Sequence, residues 1–188
     1  MKRRLLTLGF SLTVLAGGTA AAQPPAGVRN VVGSAPRFVP NDIWQRMMER
    51  PENAPDGLVV QTDLATAWAA LVETFKEFDI PVTFSDKAAG EIGMVRAKLY
   101  KRMGKHPISR FLRCGEGTAG PNADMYVVFT SVLGYVRPVD AGNVMLYGLI
   151  AGQAVDLPNG RNDVVDCTSS GQFETLIVRS LTKRLLAQ

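Results

Sequence analysis

Three groups of side chains in this sequence are of types that could do chemistry. His106 and Cys114 lie in the segment Lys105-His-Pro-Ile-Ser-Arg-Phe-Leu-Arg-Cys114, where a thiolate and an imidazolium could form a nucleophilic dyad. Cys114 has a competing use as half of a disulfide, and no acid stands at a spacing that would orient His106 against Ser109 instead. Gly115-Glu-Gly-Thr-Ala-Gly120 matches G-x-G-x-x-G letter for letter. The dinucleotide fingerprint needs a strand before it and a helix directly after, so that the pyrophosphate meets a helix N-terminus. Here Pro121-Asn122 and then a strand are expected, and the glycines read as a flexible loop. Asp156, Asn159, Asn162, Asp163 and Asp166 make an oxygen-rich segment. Its spacing fits no calcium-loop pattern, and Asn and Asp are also what turns are made of. No catalytic residue, metal ligand or cofactor is assigned on these grounds.

The most distinctive charge feature is basic. From Ile92 to Gly115 there is no acidic residue, while Arg96, Lys98, Lys101, Arg102, Lys105, Arg110 and Arg113 are all present. The usual meaning of such a run is a solvated face. The sharper reading is an anion-binding patch of Arg96, Lys98, Lys101, Arg102 and Lys105, open to neutralisation by an acid from elsewhere such as Glu73 or Asp124. Val95, Ala97 and Leu99 alternate with Arg96 and Lys98, so one strand is expected to bury the first set and point the second outward. The partners that fit are anionic lipid, cell-wall polymer or an acidic envelope protein. Nucleic acid is disfavoured, because only Tyr100 and Phe111 are at hand for base stacking.

That choice of partners follows from the first residues. Lys2, Arg3 and Arg4 precede an apolar stretch from Leu5 to Ala16, and Ala20-Ala21-Ala22 closes a run of small residues. This is the layout of a secretory signal over residues 1–22, with cleavage expected before Gln23. The stretch is short of the roughly 20 apolar residues that span a bilayer. No cysteine stands at the cleavage point to carry a lipid, and no other segment reads as a transmembrane span. An exported, periplasmic or secreted protein is predicted. Without Lys2, Arg3 and Arg4 the 21 basic side chains fall to 18 against 17 acidic ones, so overall basicity says nothing about nucleic acid. The remaining chain of about 166 residues suits one domain with a real core.

Cys114 and Cys167 are the two cysteines of the chain. In an oxidising compartment they are expected to pair. Closing a loop of about 54 residues would stabilise the fold by about 4 kcal/mol in the chain-entropy view.

The elements that must position these groups can be read from periodicity. Residues 23–55 carry six prolines and form an arm. Within it, Asn41–Arg50 is predicted as a short helix with Ile43, Trp44, Met47 and Met48 on one side. Residues 56–188 are predicted to be a single domain. Gly57–Gln61 is a short strand. Thr62 or Asp63 caps a helix whose apolar stripe is Leu64, Ala67, Trp68, Leu71, Val72, Phe75 and Phe78. Strands are expected at Pro81–Phe84, Ile92–Tyr100, Met125–Val136 and Asn143–Val155. The last two are apolar on both faces, as central strands are. Arg137–Gly142 would connect them, and Leu157–Val165 would be a loop. A final helix is expected to begin near Ser169, with Ser169 and Gln172 at capping-box spacing and Phe173, Leu176, Ile177, Leu181 and Leu185 as its stripe.

The order predicts an α+β fold, a mainly antiparallel sheet of about four to five strands with two helices on one face. The arm, through Trp44 and Met47, is the material left to cover the other. This order over Leu58–Leu186 resembles the small domains of BamC-type outer-membrane assembly lipoproteins, although the chain lacks their lipidated cysteine. Arg113-Cys-Gly115 and Cys167-Thr-Ser-Ser-Gly-Gln-Phe-Glu174 are similar to segments of exported proteins of unassigned function. Neither resemblance supplies site residues; with no chemical motif assigned, the function expected is that of a non-enzymatic envelope protein, a binding or scaffolding module. The alternative is a small periplasmic hydrolase or transferase with an unrecognised site.

Overall fold

Two long runs that are apolar on both faces, 127–136 and 143–155, dictate the architecture, because each can be satisfied only by cover on both sides. The computed structural model describes residues 39–48, 57–157, 160 and 163–187. The predicted signal and most of the proline-rich arm lie outside them. Helix α1 is Asn41–Met48, β1 Leu58–Gln61, α2 Leu64–Glu77, β2 Phe84–Asp86 and β3 Glu91–Tyr100. Then come β4 Leu112–Arg113, a single helical turn α3 Asn122–Met125, β5 Val127–Asp140, β6 Asn143–Val155, β7 Val164–Ser169 and α4 Gln172–Leu186.

The sheet is antiparallel, in the order β2-β3-β5-β6-β7-β4. Strand β1 pairs with Asn143–Leu146 and β7 with Gly152–Val155, so both occupy the edge of β6 that β5 leaves free. The sheet therefore has seven strands, more than the four to five expected. The strands missed are β4 and β7. Both are short and made by pairing, Thr168 with Arg113 and Ser169 with Leu112, rather than by a long hydrophobic run. Strand β2 starts three residues later than expected, and β5 runs to Asp140, leaving Ala141-Gly142 as the turn.

Helices α2 and α4 lie over one face. Asp63 caps α2, its carboxylate accepting from Thr66 N at 2.9 Å and Thr66 Oγ1 at 2.6 Å. Two strand glycines let the helices sit close. A Cβ at Gly134 would fall 2.5 Å from Phe75 and 2.8 Å from Leu71, and one at Gly148 would fall 3.0 Å from Ile177. Helix α4 begins at Gln172 rather than at Ser169, after Gly171 in the left-handed region. Ser169 instead ends β7, donates to buried Glu174 at 2.7 Å and accepts from Gly171 N at 3.0 Å. The predicted Ser169–Gln172 box is thus replaced by a Ser169–Glu174 contact, with the carboxylate in the first turn where the helix dipole favours it.

Helix α1 covers the opposite face. Its Ile43, Trp44 and Met47 are buried with Leu133, Tyr135, Met145, Tyr147, Leu149 and Ala151, and the Tyr135 and Tyr147 rings stack at 5.0 Å. Cys114 and Cys167 are disulfide-bonded. The register that sets Thr168 against Arg113 puts them directly across from each other, so the bond joins the residue after β4 to β7.

Candidate anion-binding surface

The expected alternation along β3 is broken by a bulge. Register shifts between Met94 and Ala97, and Arg96 takes φ +49, uncommon for a residue with a side chain. Side chains satisfy the two amides released from the ladder: Val95 N donates to Thr83 Oγ1 at 3.0 Å and Arg96 N to Ser131 Oγ at 2.9 Å. Val95, next to inward-facing Met94, lies on the α1 side and packs, as Phe84 and Val139 do, against the core there. Ala97 and Leu99 pack on the other core, under α2 and α4. Val95, Ala97 and Leu99 therefore do not share a face, because one inserted residue reverses every orientation that follows it.

This divides the predicted patch. The Arg96 guanidinium is paired with Asp42 at 3.0 Å and belongs to the docking of α1. Lys98 is exposed on the α1 side, registered against Phe129. Beyond β3 the chain turns at Lys101, φ +62, into a small ribbon, Arg102–Met103 against His106–Pro107, and a 3-10 turn, Ile108–Arg110. Lys101, Arg102, Lys105 and Arg110 are exposed around it. Lys101 stands 5.0 Å from the centre of the Tyr100 ring, and Arg102 donates to the Lys105 carbonyl.

His106 sits among these cations on the ribbon. Its pKa is lowered from the ordinary 6.5, first by burial and then by the positive charges of Arg110, Arg102 and Lys105. The imidazole Nδ1 lies 2.9 Å from an Arg110 guanidinium nitrogen. Arginine can only donate, so Nδ1 accepts and the ring is neutral in this contact. None of the ion pairs among the described residues involves Lys98, Lys101, Arg102, Lys105, Arg110 or Arg113. The two acids that could have folded over them are otherwise engaged. Glu73 pairs with Lys76 at 2.7 Å; Asp124 accepts from Ser109 N at 2.9 Å and Ser109 Oγ at 2.5 Å.

The groups with nucleophilic or ligand potential go elsewhere. The disulfide removes Cys114 from any dyad with His106. Gly115–Gly120 makes a two-stranded ribbon, Glu116–Gly117 against Gly120–Pro121, followed by the single turn α3. That turn cannot serve as the long helix a pyrophosphate site needs. Asp166 is held by Arg46 at 3.0 Å and Gln153 at 2.8 Å, and Asp156 is buried. Asn159 and Asn162 lie outside the described residues, among which no three ligand-type side chains cluster.

Two cations, Arg179 and Lys183, were not foreseen as one surface with the ribbon. Arg110, Arg179 and Lys183 line a groove of about 480 Å³ between α4 and the end of α2. Arg179 and Lys183 are spaced one helical turn apart on a helix the sequence predicts, and that spacing is the signal that could have found them. No helix among the described residues is long and apolar enough to cross a membrane. No protein-family model matches the chain, and no curated protein matches its sequence.

Proposed function

We propose that this protein is a non-enzymatic binding module of the cell envelope, which uses the cations of the 101–110 ribbon to hold an anionic surface, lipid or cell-wall polymer. The observation that carries this reading is that Lys101, Arg102, Lys105 and Arg110 are all exposed on and beside the small ribbon, with no carboxylate paired to them among the described residues. Cations left in that state raise the local positive potential and attract anions. Export to an oxidising compartment is part of the proposal. It is supported by the Cys114–Cys167 bond, since disulfides persist where thiols are not kept reduced. Kinship with BamC-type domains belongs to the same proposal, supported by the order of helices and antiparallel strands.

The test is binding to phosphatidylglycerol vesicles and to purified cell-wall material at two ionic strengths. Binding should be strong at low salt and fall steeply near 0.1 M and above, where exposed charges are screened within about 10 Å. Changing Lys101, Arg102 and Lys105 together to Ser should remove most of it with little loss of stability, because all three are exposed. Binding that ignores both salt and these changes would reduce the cluster to a solvated face.

A further inference from the structure

The outward side of α4 carries a second set of cations, set on apolar ground. Thr175, Arg179, Lys183 and Ala187 recur every four residues and form one ridge with a groove on each side. The first groove, about 670 Å³, runs between α4 and the start of β1 and is walled by Leu58, Val178, Thr182 and Leu186. The second is the 480 Å³ groove toward α2, with Phe78 and Leu176 as its apolar part. Both fall in the range of small-molecule pockets, roughly 300–1,000 Å³. Leu58 is 37% exposed and Leu186 83%, so the first groove presents large apolar side chains to solvent. Among the described residues Glu77 is the one carboxylate on either groove. It is taken by Arg184 at 2.7 Å and Ser180 at 2.9 Å. Arg110, which contacts His106, makes this surface continuous with the ribbon.

We propose that the α4 ridge and its grooves bind a phospholipid of net negative charge, its phosphate against Arg110, Arg179 and Lys183 and an acyl chain along Leu58, Val178 and Leu186. Free phosphate would satisfy the cations and leave the leucines in water. A second copy of this chain would bring the same cations, and like charges repel. An acidic protein would have to supply a matching apolar strip on the far side of the ridge. An anionic amphiphile carries charge and chain in one molecule, in the order the ridge and groove present them. The inference rests on the anionic-surface reading above and narrows it to lipid at a named site.

The experiment is vesicle co-sedimentation of the exported protein with phosphatidylglycerol and with phosphatidylcholine, repeated with inorganic phosphate as competitor. Three variants are compared: Arg179→Ser with Lys183→Ser, Leu186→Ser, and the Lys101/Arg102/Lys105 triple change. The α4 side chains involved are exposed, and a thermal melt of each variant checks the fold. The double change should weaken phosphatidylglycerol binding about 25-fold, about fivefold per cation. Leu186→Ser should remove the binding that survives high salt, phosphatidylcholine should bind weakly, and phosphate should not compete. If the α4 variants bind like the parent while the ribbon triple does not, the α4 site is wrong and the ribbon reading stands. Full competition by phosphate with Leu186→Ser silent would mean a simple anion site and overturns the lipid assignment. A parent protein that ignores phosphatidylglycerol overturns it as well.

Discussion

Asp42 and Arg96, 54 residues apart in the chain, meet at 3.0 Å where α1 crosses the bulge in β3. Asp42 also holds Arg46 at 3.1 Å, and Arg46 reaches Asp166 on β7 at 3.0 Å. The helix is thus tied by charges to β3 and β7, which flank the β5–β6 pair, with its apolar side chains underneath. The two kinds of contact differ greatly in weight. Exposed ion pairs contribute about 0–1 kcal/mol, whereas Met47 is fully buried. Met47→Ala should cost about 2–5 kcal/mol and Asp42→Ala about 1 kcal/mol or less, measured by urea unfolding. Equal effects would mean that charge rather than burial holds α1.

The disulfide joins the residue after β4, a two-residue strand, to β7, itself only six residues long. The two strands pair with each other at only two positions. Replacing Cys114 and Cys167 together by Ser should cost about 2–5 kcal/mol. Purified, unreduced protein should titrate no free thiol. Amide exchange should speed up first at Leu112, Arg113 and Thr168; uniform acceleration across the sheet would instead place the bond's effect on the whole fold.

His106 is the one histidine of the chain, so its titration can be followed without ambiguity. Its folded pKa is lowered below 6.5 by burial and by Arg110, Arg102 and Lys105. The unfolded chain therefore binds a proton at a pH where the folded one does not. Stability conferred by the neutral ring is fully present above about pH 6.5 and is lost as pH falls through the folded value. Glu77, held below its ordinary 4.5 first by the Arg184 hydrogen bond, acts only at lower pH. His106→Gln should flatten the stability profile just under pH 6.5 and leave the acid limb unchanged. An NMR midpoint at or above 6.5 would contradict the lowering by burial and by the neighbouring cations.

Gly134 and Gly148 set how closely the two helices approach. Adding one methyl at Gly134 meets the Phe75 ring at 2.5 Å, while at Gly148 it meets Ile177 at 3.0 Å. Overpacking of this kind costs about 1–3 kcal/mol. Gly134→Ala is expected at the upper end and Gly148→Ala at the lower, read from denaturant midpoints. The reverse order would mean that α2 yields more easily than α4.

Elements that carry their own periodic signal could be read from the chain alone. The stripe from Leu64 to Phe78, the runs in β5 and β6 and the stripe of α4 are periodic over ten or more residues, and that period fixes which face is buried. The pair of cysteines and the apolar side of α1 were legible for the same reason, since each needs a partner and few were available. Tertiary structure alone decided the rest. Strand β7 exists because an edge of β6 was open to receive it, and β4 because β7 offered an edge in turn; hydrogen bonds between distant segments leave no local period. The bulge at Arg96 turned a predicted alternation over, because one inserted residue flips the faces beyond it and nothing in the run Val95–Leu99 marks the insertion. Most of all, the seven cations from Arg96 to Arg113 are consecutive in sequence but split in space. Asp42 claims one, the ribbon gathers four, and Arg179 and Lys183 of α4 extend that ribbon cluster through Arg110. Which charges share a surface is set by where strands turn and helices dock, and only the folded chain holds that information.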